Sequence, residues 1–408
     1  MAFRSTSVTL HESISKEIRQ GQGIYFTPAA VRNRLFELLA PSLPAASATP
    51  FNVLEPSFGS GEFLFDVLEK IPSAQLYGNE LNPTIFKETQ RCVGTLSTTH
   101  RSRVRHLVRS DFLTSPATLK MDLIIGNPPY FTTPIKDPRC VKGRSNIFIL
   151  FLYKCLTEHL APGGLLAFVL PTSLYNCTYY NPCRAYMRDN TTLLAVETIP
   201  GSTAGFYETA QDTALIVLRN TPPTVSPPPY ILSIPETDTV YITPHAEGLC
   251  ELMASGTTLR ALGCAVKTGE VVWNQHKEKL THAPPPSSVL VIYANNIKDN
   301  ALTLGAPGKD KKQYITGFTG KSPTIGPAIV VARGYGNTAY NLKYAVVPAG
   351  TVFYGENHVN VITGPAALIP TIAASLSDSR TAAFLEMFVG NGALSKTELE
   401  NILPVWIA

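Results

Sequence analysis

The stretch from Leu123 to Phe131 reads Leu-Ile-Ile-Gly-Asn-Pro-Pro-Tyr-Phe, and the rest of the predicted fold is arranged around it. An apolar run that stops at an Asn-Pro-Pro-Tyr turn predicts a buried parallel strand with a polar tip at its carboxyl end. Each proline fixes its own φ angle and pushes the preceding residue toward extended backbone, so the tip is stiff. We expect it to present the Asn127 side-chain oxygen and a main-chain carbonyl as hydrogen-bond acceptors, beside the Tyr130 ring.

Two acceptors next to an aromatic ring suit the binding of a flat ring that bears an amino group. The amide oxygen and the carbonyl would accept the N–H groups, and Tyr130 would cover the face of the ring. The alternative is an ordinary Pro-Pro turn after an edge strand, with the tyrosine packed against its neighbours.

Upstream of Leu123, three predicted strands each end at or near an acidic residue. The first strand ends at Glu55 and leads through Gly59 and Gly61 into a helix, and the next two strands end near Glu80 and Asp111. Glycines at such a turn let the backbone approach a ligand closely, and a carboxylate about 20 residues further on can reach ribose hydroxyls. Because the carboxyl ends of parallel strands share one edge of a sheet, these side chains should converge on one crevice that binds a nucleoside-bearing cofactor.

Strands and helices alternate through residue 220, with further strands predicted at 165–170, 193–198 and 212–218. This alternation predicts an α/β fold with a doubly wound, mostly parallel, Rossmann-like sheet whose last strand is antiparallel at one edge. The Gly-rich turn lacks the third glycine of the dinucleotide fingerprint, and the chain has no Gly-Lys-Ser/Thr phosphate loop. The pattern therefore disfavours NAD and ATP.

Length and composition predict two globular domains. The chain has 408 residues, of which 44% are hydrophobic and 16% are charged. A proline-rich segment at 221–229 is the predicted linker between a first domain at 1–220 and a second domain at 230–408, where short apolar strands alternate with Gly/Asn turns. The net charge of +4 permits a nucleic-acid partner without requiring one.

The seven cysteines are scattered without a Cys-x-x-Cys pair, so neither a disulfide framework nor a zinc site is expected. No apolar run is long enough to cross a bilayer, and the amino terminus lacks a signal-peptide pattern. We therefore expect a protein of a reducing, cytoplasmic compartment, with no membrane partner and no bound metal.

The segment before the first strand contains one clear helix signal. Thr27 and Pro28 predict an N-cap followed by a proline at the first helical position, and apolar residues follow at helical spacing. The start of this helix is also suited to binding a carboxylate. The segment up to Gln22 has little pattern and is expected to be partly mobile.

These motifs together resemble those of the S-adenosylmethionine-dependent N6-adenine DNA methyltransferases of type II restriction–modification systems. The cofactor motifs come first, then the catalytic tetrapeptide, then a recognition domain, which is the arrangement called gamma in that family. The matching motifs are Tyr25-Phe26-Thr27-Pro28, Glu55-Pro56-Ser57-Phe58-Gly59-Ser60-Gly61-Glu62-Phe63, Glu80, Asp111-Phe112 and Asn127-Pro128-Pro129-Tyr130.

The resemblance implies a role for each motif. Thr27 would bind the methionine carboxylate of the cofactor, Glu80 its ribose, and Asp111 with Phe112 its adenine. The implied cofactor-binding residues are Tyr25, Thr27, Glu55, Ser57, Gly59, Gly61, Phe63, Glu80, Asp111 and Phe112, and the implied catalytic residues are Asn127, Pro128, Pro129 and Tyr130. Tyr130 would stack on a target adenine flipped out of the duplex, with Phe206 or Tyr207 as a second aromatic contact.

The second domain would be an α+β target-recognition domain that binds double-stranded DNA. Its candidate base-reading residues have side chains suited to groove edges, and they are Asn274, Gln275, Lys277, Arg333, Tyr335 and Asn357. Lys309, Lys311, Lys312 and Lys321 are expected to contact phosphates, which positions a protein on DNA without specifying sequence. The chain shows no nuclease core, so a cognate restriction endonuclease would be encoded separately.

Two other classes of protein fit parts of the sequence. Asn-Pro-Pro-Tyr also occurs in enzymes that methylate RNA bases or a glutamine of release factors, although the large second domain argues against the glutamine substrate. A non-catalytic specificity module is disfavoured because the cofactor motifs and the tetrapeptide are complete.

Overall fold

The computed structural model describes residues 3–45, 49–207, 211–305, 308, 311–320, 322–334, 342–388 and 394–407. The chain forms two compact units, the first comprising Met1–Ser233 with Asp238–Ala246 and the second comprising Ile234–Thr237 with Glu247–Ala408. The assignment of catalytic and recognition roles to two domains joined at 221–229 stays a prediction.

The first unit contains nine strands and ten helices up to residue 220 within the described ranges. The strands are β1 (Phe51–Glu55), β2 (Ala74–Glu80), β3 (Val104–Arg109), β4 (Met121–Gly126), β5 (Thr132–Thr133), β6 (Ser145–Asn146), β7 (Leu160–Pro171), β8 (Thr192–Ile199) and β9 (Thr213–Arg219). The helices are α1 (Ser5–Ser13), α2 (Lys16–Gln22), α3 (Ala29–Leu39), α4 (Glu62–Lys70), α5 (Pro83–Gly94), α6 (Thr98–Ser102), α7 (Ile147–Lys154), α8 (Ser173–Asn176), α9 (Asn181–Asn190) and α10 (Gly201–Ala204).

Seven of these strands form one sheet in the order β3-β2-β1-β4-β7-β9-β8. The pairs from β3 through β7 are parallel, and helices cover both faces, so the predicted Rossmann-like α/β fold is confirmed. The apolar run before Asn127 is β4, at the centre of this sheet. Leu123 and Ile125 pack into one core cluster while Ile124 packs into the other, because successive strand residues point to opposite faces.

The antiparallel strand is β9, and its predicted place at the edge of the sheet is wrong. β9 lies between β7 and β8 and is antiparallel to both. The physical reason is burial: six consecutive residues of β9 are buried, whereas five of the eight residues of β8 are only half-buried. A strand that is apolar on both faces is stabilised in the interior of a sheet.

The amino-terminal segment is helical, although its sequence up to Gln22 shows little pattern. The Ser15 side chain accepts a hydrogen bond from the Ile18 N–H at the start of α2, and Gly23 ends that helix with φ +62°. Thr27 is not the N-cap of α3, since that position is Pro28 and no side chain caps the helix.

Strands β10 (Ile231–Ile234) and β11 (Thr239–Ile242) form a separate pair. The second unit then contains α11 (Ala246–Ala254) and three carboxyl-terminal helices, and its predicted α+β class is confirmed. Its strands are β12 (Ala265–Thr268), β13 (Leu280–Thr281), β14 (Val289–Ile292), β15 (Ile297–Lys298), β16 (Ala301–Leu302), β17 (Tyr314–Ile315), β18 (Thr324–Ile325), β19 (Ala328–Ala332), β20 (Tyr344–Val347), β21 (Val352–Gly355) and β22 (Val359–Thr363). The closing helices are α12 (Ile369–Leu376), α13 (Ser379–Phe388) and α14 (Lys396–Asn401).

The second unit is organised around two small sheets. One has the order β12-β22-β19-β20 and the other β13-β17-β14-β21-β18. Helices α11 and α12 were not predicted from the sequence.

Candidate active site

A cleft lies where β1, β2, β3 and β4 end, and it contains about 910 Å³ of space including the solvent at its mouth. Eight of the sequence-predicted cofactor and catalytic residues line it together. These eight are Tyr25, Ser57, Gly59, Glu80, Asp111, Phe112, Asn127 and Pro129. They come from segments far apart in the chain, and the parallel sheet brings them to one edge.

The other predicted cofactor residues are buried and do not themselves line this cleft. Thr27, Glu55 and Phe63 are at most 3% exposed. Burial raises the pKa of the Glu55 carboxyl well above its usual range. Gly61 has φ +83°, and a Cβ atom there would lie 2.8 Å from the Phe65 ring, so only glycine fits the turn into α4.

Glu80 is held by two main-chain donors, one in the Gly-rich turn and one just after β2. Its Oε2 accepts from the Gly59 N–H at 2.9 Å, and its Oε1 accepts from the Asn82 N–H at 2.7 Å. Burial raises the pKa of Glu80 even though both hydrogen bonds lower it. Each carboxylate oxygen has a further lone pair, so Glu80 can accept from ligand hydroxyls without giving up these contacts.

Asp111 and Phe112 form the side of the cleft that follows β3. The Asp111 Oδ1 accepts from the Leu113 N–H at 2.9 Å, which fixes the turn. The Phe112 ring is buried, with its centroid 5.1 Å from that of Phe151 and 4.8 Å from that of His159. Burial lowers the pKa of His159 to about 4, so a neutral imidazole supports this ring.

The Asn127 amide has a defined orientation. Its Nδ2 donates to the Thr27 hydroxyl at 3.0 Å and to the Tyr25 carbonyl at 3.4 Å. With the nitrogen end occupied in this way, the oxygen end faces the opposite side. This is the acceptor that the tetrapeptide was predicted to present.

Tyr130 occupies that acceptor in the structure. Its hydroxyl donates to the Asn127 Oδ1 and lies 2.6 Å from the Val169 carbonyl oxygen of β7. Burial raises the pKa of the Tyr130 hydroxyl well above its usual range, so the group stays a protonated donor. The Pro128 ring is buried beneath the bend, and Pro129 lines the cleft.

A second, smaller pocket of about 410 Å³ lies beside the first, and Tyr25 lines both. Its other lining residues are Tyr130, Phe206, Gln211 and Thr213. Tyr207 does not line it, since its ring stacks between Phe3 and His11 at centroid distances of 4.4 and 4.3 Å. The geometry therefore favours Phe206 over Tyr207 as the second aromatic contact.

Gly23 contributes to the site and was not recognised from the sequence. A Cβ atom at this position would lie 2.9 Å from the Tyr130 nitrogen, 3.0 Å from the Phe131 ring and 3.1 Å from Pro129. The loop after α2 therefore packs its backbone directly on the tetrapeptide. A glycine at the end of a helix was the only sequence signal, because the contact joins segments about a hundred residues apart.

In the second unit, two of the candidate base-reading residues, Arg333 and Asn357, lie next to each other. The Asn357 N–H donates to the Val271 carbonyl at 3.0 Å, and the Arg333 N–H donates to the His358 carbonyl at 3.0 Å. The Arg333 guanidinium also donates to the Asn357 carbonyl at 3.2 Å. The Asn357 Oδ1 has no hydrogen-bond partner among the described residues, whereas the prediction for Tyr335 lies outside them.

A short 3-10 turn, Trp273–Gln275, carries two more of the candidate base-reading side chains, Asn274 and Gln275, both exposed. The ammonium groups of Lys277 and Lys311 lie 5.1 and 5.8 Å from the centre of the Trp273 ring. Of the remaining predicted phosphate contacts, Lys312 is half-buried, and Lys309 and Lys321 lie outside the described residues.

The described residues lack three kinds of feature: a metal-binding group, a membrane-spanning helix and a disulfide. They contain no group of His, Cys, Asp and Glu arranged to hold a metal ion. No helix within the described ranges combines the length and apolar character needed to span a bilayer. All seven cysteines lie in these ranges, and none forms a disulfide.

A Rossmann-like sheet with an Asn-Pro-Pro-Tyr bend at the edge of such a cleft defines the class of S-adenosylmethionine-dependent methyltransferases. The sequence model of the Eco57I restriction-modification methylase family matches residues 66–206. The type II methyltransferase M.CvrRI of Paramecium bursaria Chlorella virus XZ-6E is 30% identical, over 99% of both chains. The modification methylase CviBIII of Paramecium bursaria Chlorella virus NC1A is 30% identical, over 98% of both chains.

The chain belongs to the type II methyltransferases of restriction–modification systems, and its cofactor is S-adenosyl-L-methionine. Among solved structures, the methyltransferase subunit of the type I restriction-modification system of Streptococcus thermophilus is similar over 50% of this chain and 45% of that chain, with 19% identity and a TM-score of 0.36.

The chemistry of the cleft fits this cofactor. Ser57 lines it, and the Ser57 Oγ is buried without a hydrogen-bond partner in the described part of the chain. A polar ligand that forms a hydrogen bond with this buried hydroxyl would account for its lack of a partner in the protein. The carboxylates of Glu80 and Asp111 supply acceptors for hydroxyl and amino groups, and Phe112 with Phe151 supplies an apolar wall.

Proposed function

We propose that this protein is a site-specific DNA methyltransferase that modifies the N6 amine of an adenine flipped out of double-stranded DNA. One observation carries the proposal: the Asn127 amide is fixed with its oxygen toward Tyr130, which lines a pocket next to the cofactor cleft. Asn127 lines the cleft itself, so the acceptor for an amine stands at the junction of the two spaces.

The Asn127 side-chain oxygen and the Pro128 carbonyl would accept the two hydrogens of the target amine. The lone pair of that amine is delocalised into the purine ring, and two acceptors draw the nitrogen toward tetrahedral geometry and aim the lone pair. S-adenosyl-L-methionine supplies the electrophilic methyl group when it is bound. Orientation of this kind can contribute roughly 7–11 kcal/mol to lowering a barrier.

Residues of the cleft would hold the cofactor in the manner that the motif order implies. Glu80 would accept from the ribose hydroxyls, and Asp111 would accept from the adenine amine next to Phe112. The Thr27 hydroxyl accepts from Asn127, and its own hydrogen remains available for the methionine carboxylate. Thr27 would thus join the cofactor to the catalytic amide.

For the target base to enter, the Tyr130 hydroxyl must break its hydrogen bond with the Asn127 side-chain oxygen. Extruding a base costs a few kcal/mol, and stacking on an aromatic ring returns about 1–3 kcal/mol of this. The Tyr130 hydroxyl would leave Asn127, and the ring would then cover one face of the base, with Phe206 as the second aromatic wall.

The second unit would read the DNA sequence. Arg333 and Asn357 adjoin each other, and the unpaired Asn357 Oδ1 suits a base edge. Lys277 would contribute to reading the bases, and Lys311 would bind a phosphate and position the duplex. The relatives match across 98% or more of their own length, so the resemblance includes this unit and favours DNA over an RNA base or a protein glutamine as substrate.

In this proposal the enzyme acts in a reducing, cytoplasmic compartment, and its methylation protects DNA from a separately encoded restriction endonuclease. The test uses tritiated S-adenosylmethionine with duplex DNA, transfer RNA and a release factor as parallel substrates, followed by nucleoside chromatography. We expect N6-methyladenine in DNA alone, and Asn127→Ala should bind the cofactor but transfer no methyl group. Label on cytosine, RNA or glutamine, or wild-type turnover by the variant, would refute the proposal.

A further inference from the structure

Thr213 begins β9 at the edge of the sheet where the parallel strands end. It is in register with Pro171 of β7 and Ile199 of β8. Pro171 is two residues beyond Val169, whose carbonyl accepts from Tyr130. Thr213 therefore lines the small pocket between the two aromatic residues, Tyr130 and Phe206.

The Thr213 hydroxyl is buried and unpaired. The residue is 3% exposed, and its Oγ1 has no hydrogen-bond partner among the described residues. Burial of a hydroxyl without a partner disfavours the folded state, and valine has nearly the same shape without this penalty. A threonine at this position is thus accounted for by a ligand that completes its hydrogen bond.

We propose that Thr213 is a specificity-determining residue whose hydroxyl donates a hydrogen bond to a ring nitrogen of the flipped purine. This inference rests on the proposed function and adds a contact that the tetrapeptide does not supply. Asn127 and Pro128 accept from the amine, and Tyr130 and Phe206 cover the faces of the ring. A donor at the ring edge distinguishes a base with an acceptor nitrogen from a flat amine that lacks one.

The experiment compares Thr213→Val with Thr213→Ser, which keeps the hydroxyl. The substrate is a duplex with 2-aminopurine at the target position for fluorescence of the flipped base, and with adenine for turnover. We expect Thr213→Val to melt at the same or a higher temperature than the wild type and to bind S-adenosylmethionine equally well. Its kcat/KM for DNA should fall about tenfold with weaker 2-aminopurine fluorescence, while Thr213→Ser stays within about threefold of the wild type.

Deaza analogues of adenine identify the partner atom and do not depend on the stability of the variant. Wild-type enzyme should lose about tenfold in kcat/KM on one of 1-deaza-, 3-deaza- or 7-deazaadenine, and Thr213→Val should show no further loss on that analogue. Wild-type rates by Thr213→Val, or undiminished wild-type turnover of all three analogues, would overturn the inference. A wild-type enzyme that does not methylate DNA would instead refute the proposed function.

Discussion

The side-chain nitrogen of Asn127 donates a hydrogen bond of 3.0 Å to the Thr27 hydroxyl. The Thr27 carbonyl in turn accepts from Arg32, whose guanidinium is bound to Asp66 at 2.6 Å and to Glu62 at 2.9 Å. This buried ion network fixes the position of Thr27, and Thr27 fixes the orientation of the Asn127 amide, for which a catalytic role is proposed. An amide that rotated by half a turn would present a donor where the target amine needs an acceptor.

Replacement of Thr27 by valine should therefore reduce catalysis. Thr27→Val removes the acceptor for the Asn127 nitrogen, and we expect kcat to fall about tenfold, while Thr27→Ser retains most of it. Steady-state methylation of duplex DNA measures this change. Thr95→Val is the matched control, since the exposed Thr95 hydroxyl only donates to the Cys92 carbonyl. Full activity of Thr27→Val would show that Asn127 is oriented by other contacts.

The Tyr130 hydroxyl and the Tyr130 ring should have separable effects. Tyr130→Phe frees the Asn127 oxygen and keeps the stacking surface, so kcat/KM should be equal to or higher than that of the wild type. Tyr130→Ala removes the stacking contribution of about 1–3 kcal/mol and should lower kcat/KM roughly 5- to 150-fold. Cofactor binding by calorimetry should be unchanged in both. Equal defects in the two variants would mean that the hydroxyl takes part in the reaction.

Gly23→Ala should disrupt the site. The left-handed backbone at Gly23 disfavours alanine by roughly 1–2 kcal/mol, and the added methyl group would press on the Tyr130 nitrogen. We expect a lower melting temperature and a loss of methylation. Gly94→Ala is the control, because a Cβ atom there meets nothing within 4 Å and the residue lies in α5, where alanine is favoured, without lining the cleft. A wild-type phenotype for Gly23→Ala would contradict the close packing described above.

His159 should make the first unit sensitive to acid. Its pKa is lowered from 6.5 to about 4 by burial, so the unfolded chain takes up a proton before the folded one. Stability from this group is complete above pH 6.5 and is lost as the pH falls toward 4, to a total of about 3 kcal/mol. Chemical denaturation at several pH values should show this slope in the wild type and a smaller one in His159→Phe. A slope in His159→Phe equal to that of the wild type would contradict this prediction.

Local sequence patterns predicted the fold class because its determinants are short and continuous. The apolar run of β4, the Gly59 turn and the acidic strand ends are each read within a few residues, and parallel topology then brings them to one edge. The roles of these side chains stay predictions. The interior position of β9 was missed, since strand order depends on how much apolar surface each strand buries against its neighbours rather than on its place in the chain.

Contacts between distant segments could not be predicted in this way. The packing of Gly23 on Tyr130, the link from Asn127 to Thr27 and the unpaired hydroxyl of Thr213 all depend on tertiary structure. The choice between Phe206 and Tyr207 likewise required the stacking of Tyr207 on Phe3. Helix α2 has local signals, since Ser15 caps its start and Gly23 ends it, whereas α1 has no side-chain cap.

The reversed direction of β9 has a consequence for engineering. β8 ends and β9 begins at the edge of the sheet where the cleft lies, so the segment that joins them starts and ends beside the small pocket, which its residues Phe206 and Gln211 line. Under the proposed function, replacing this segment with its counterpart from another methylase would change the contacts to the target base and leave the strands of the cofactor cleft, β1 to β4, unaltered.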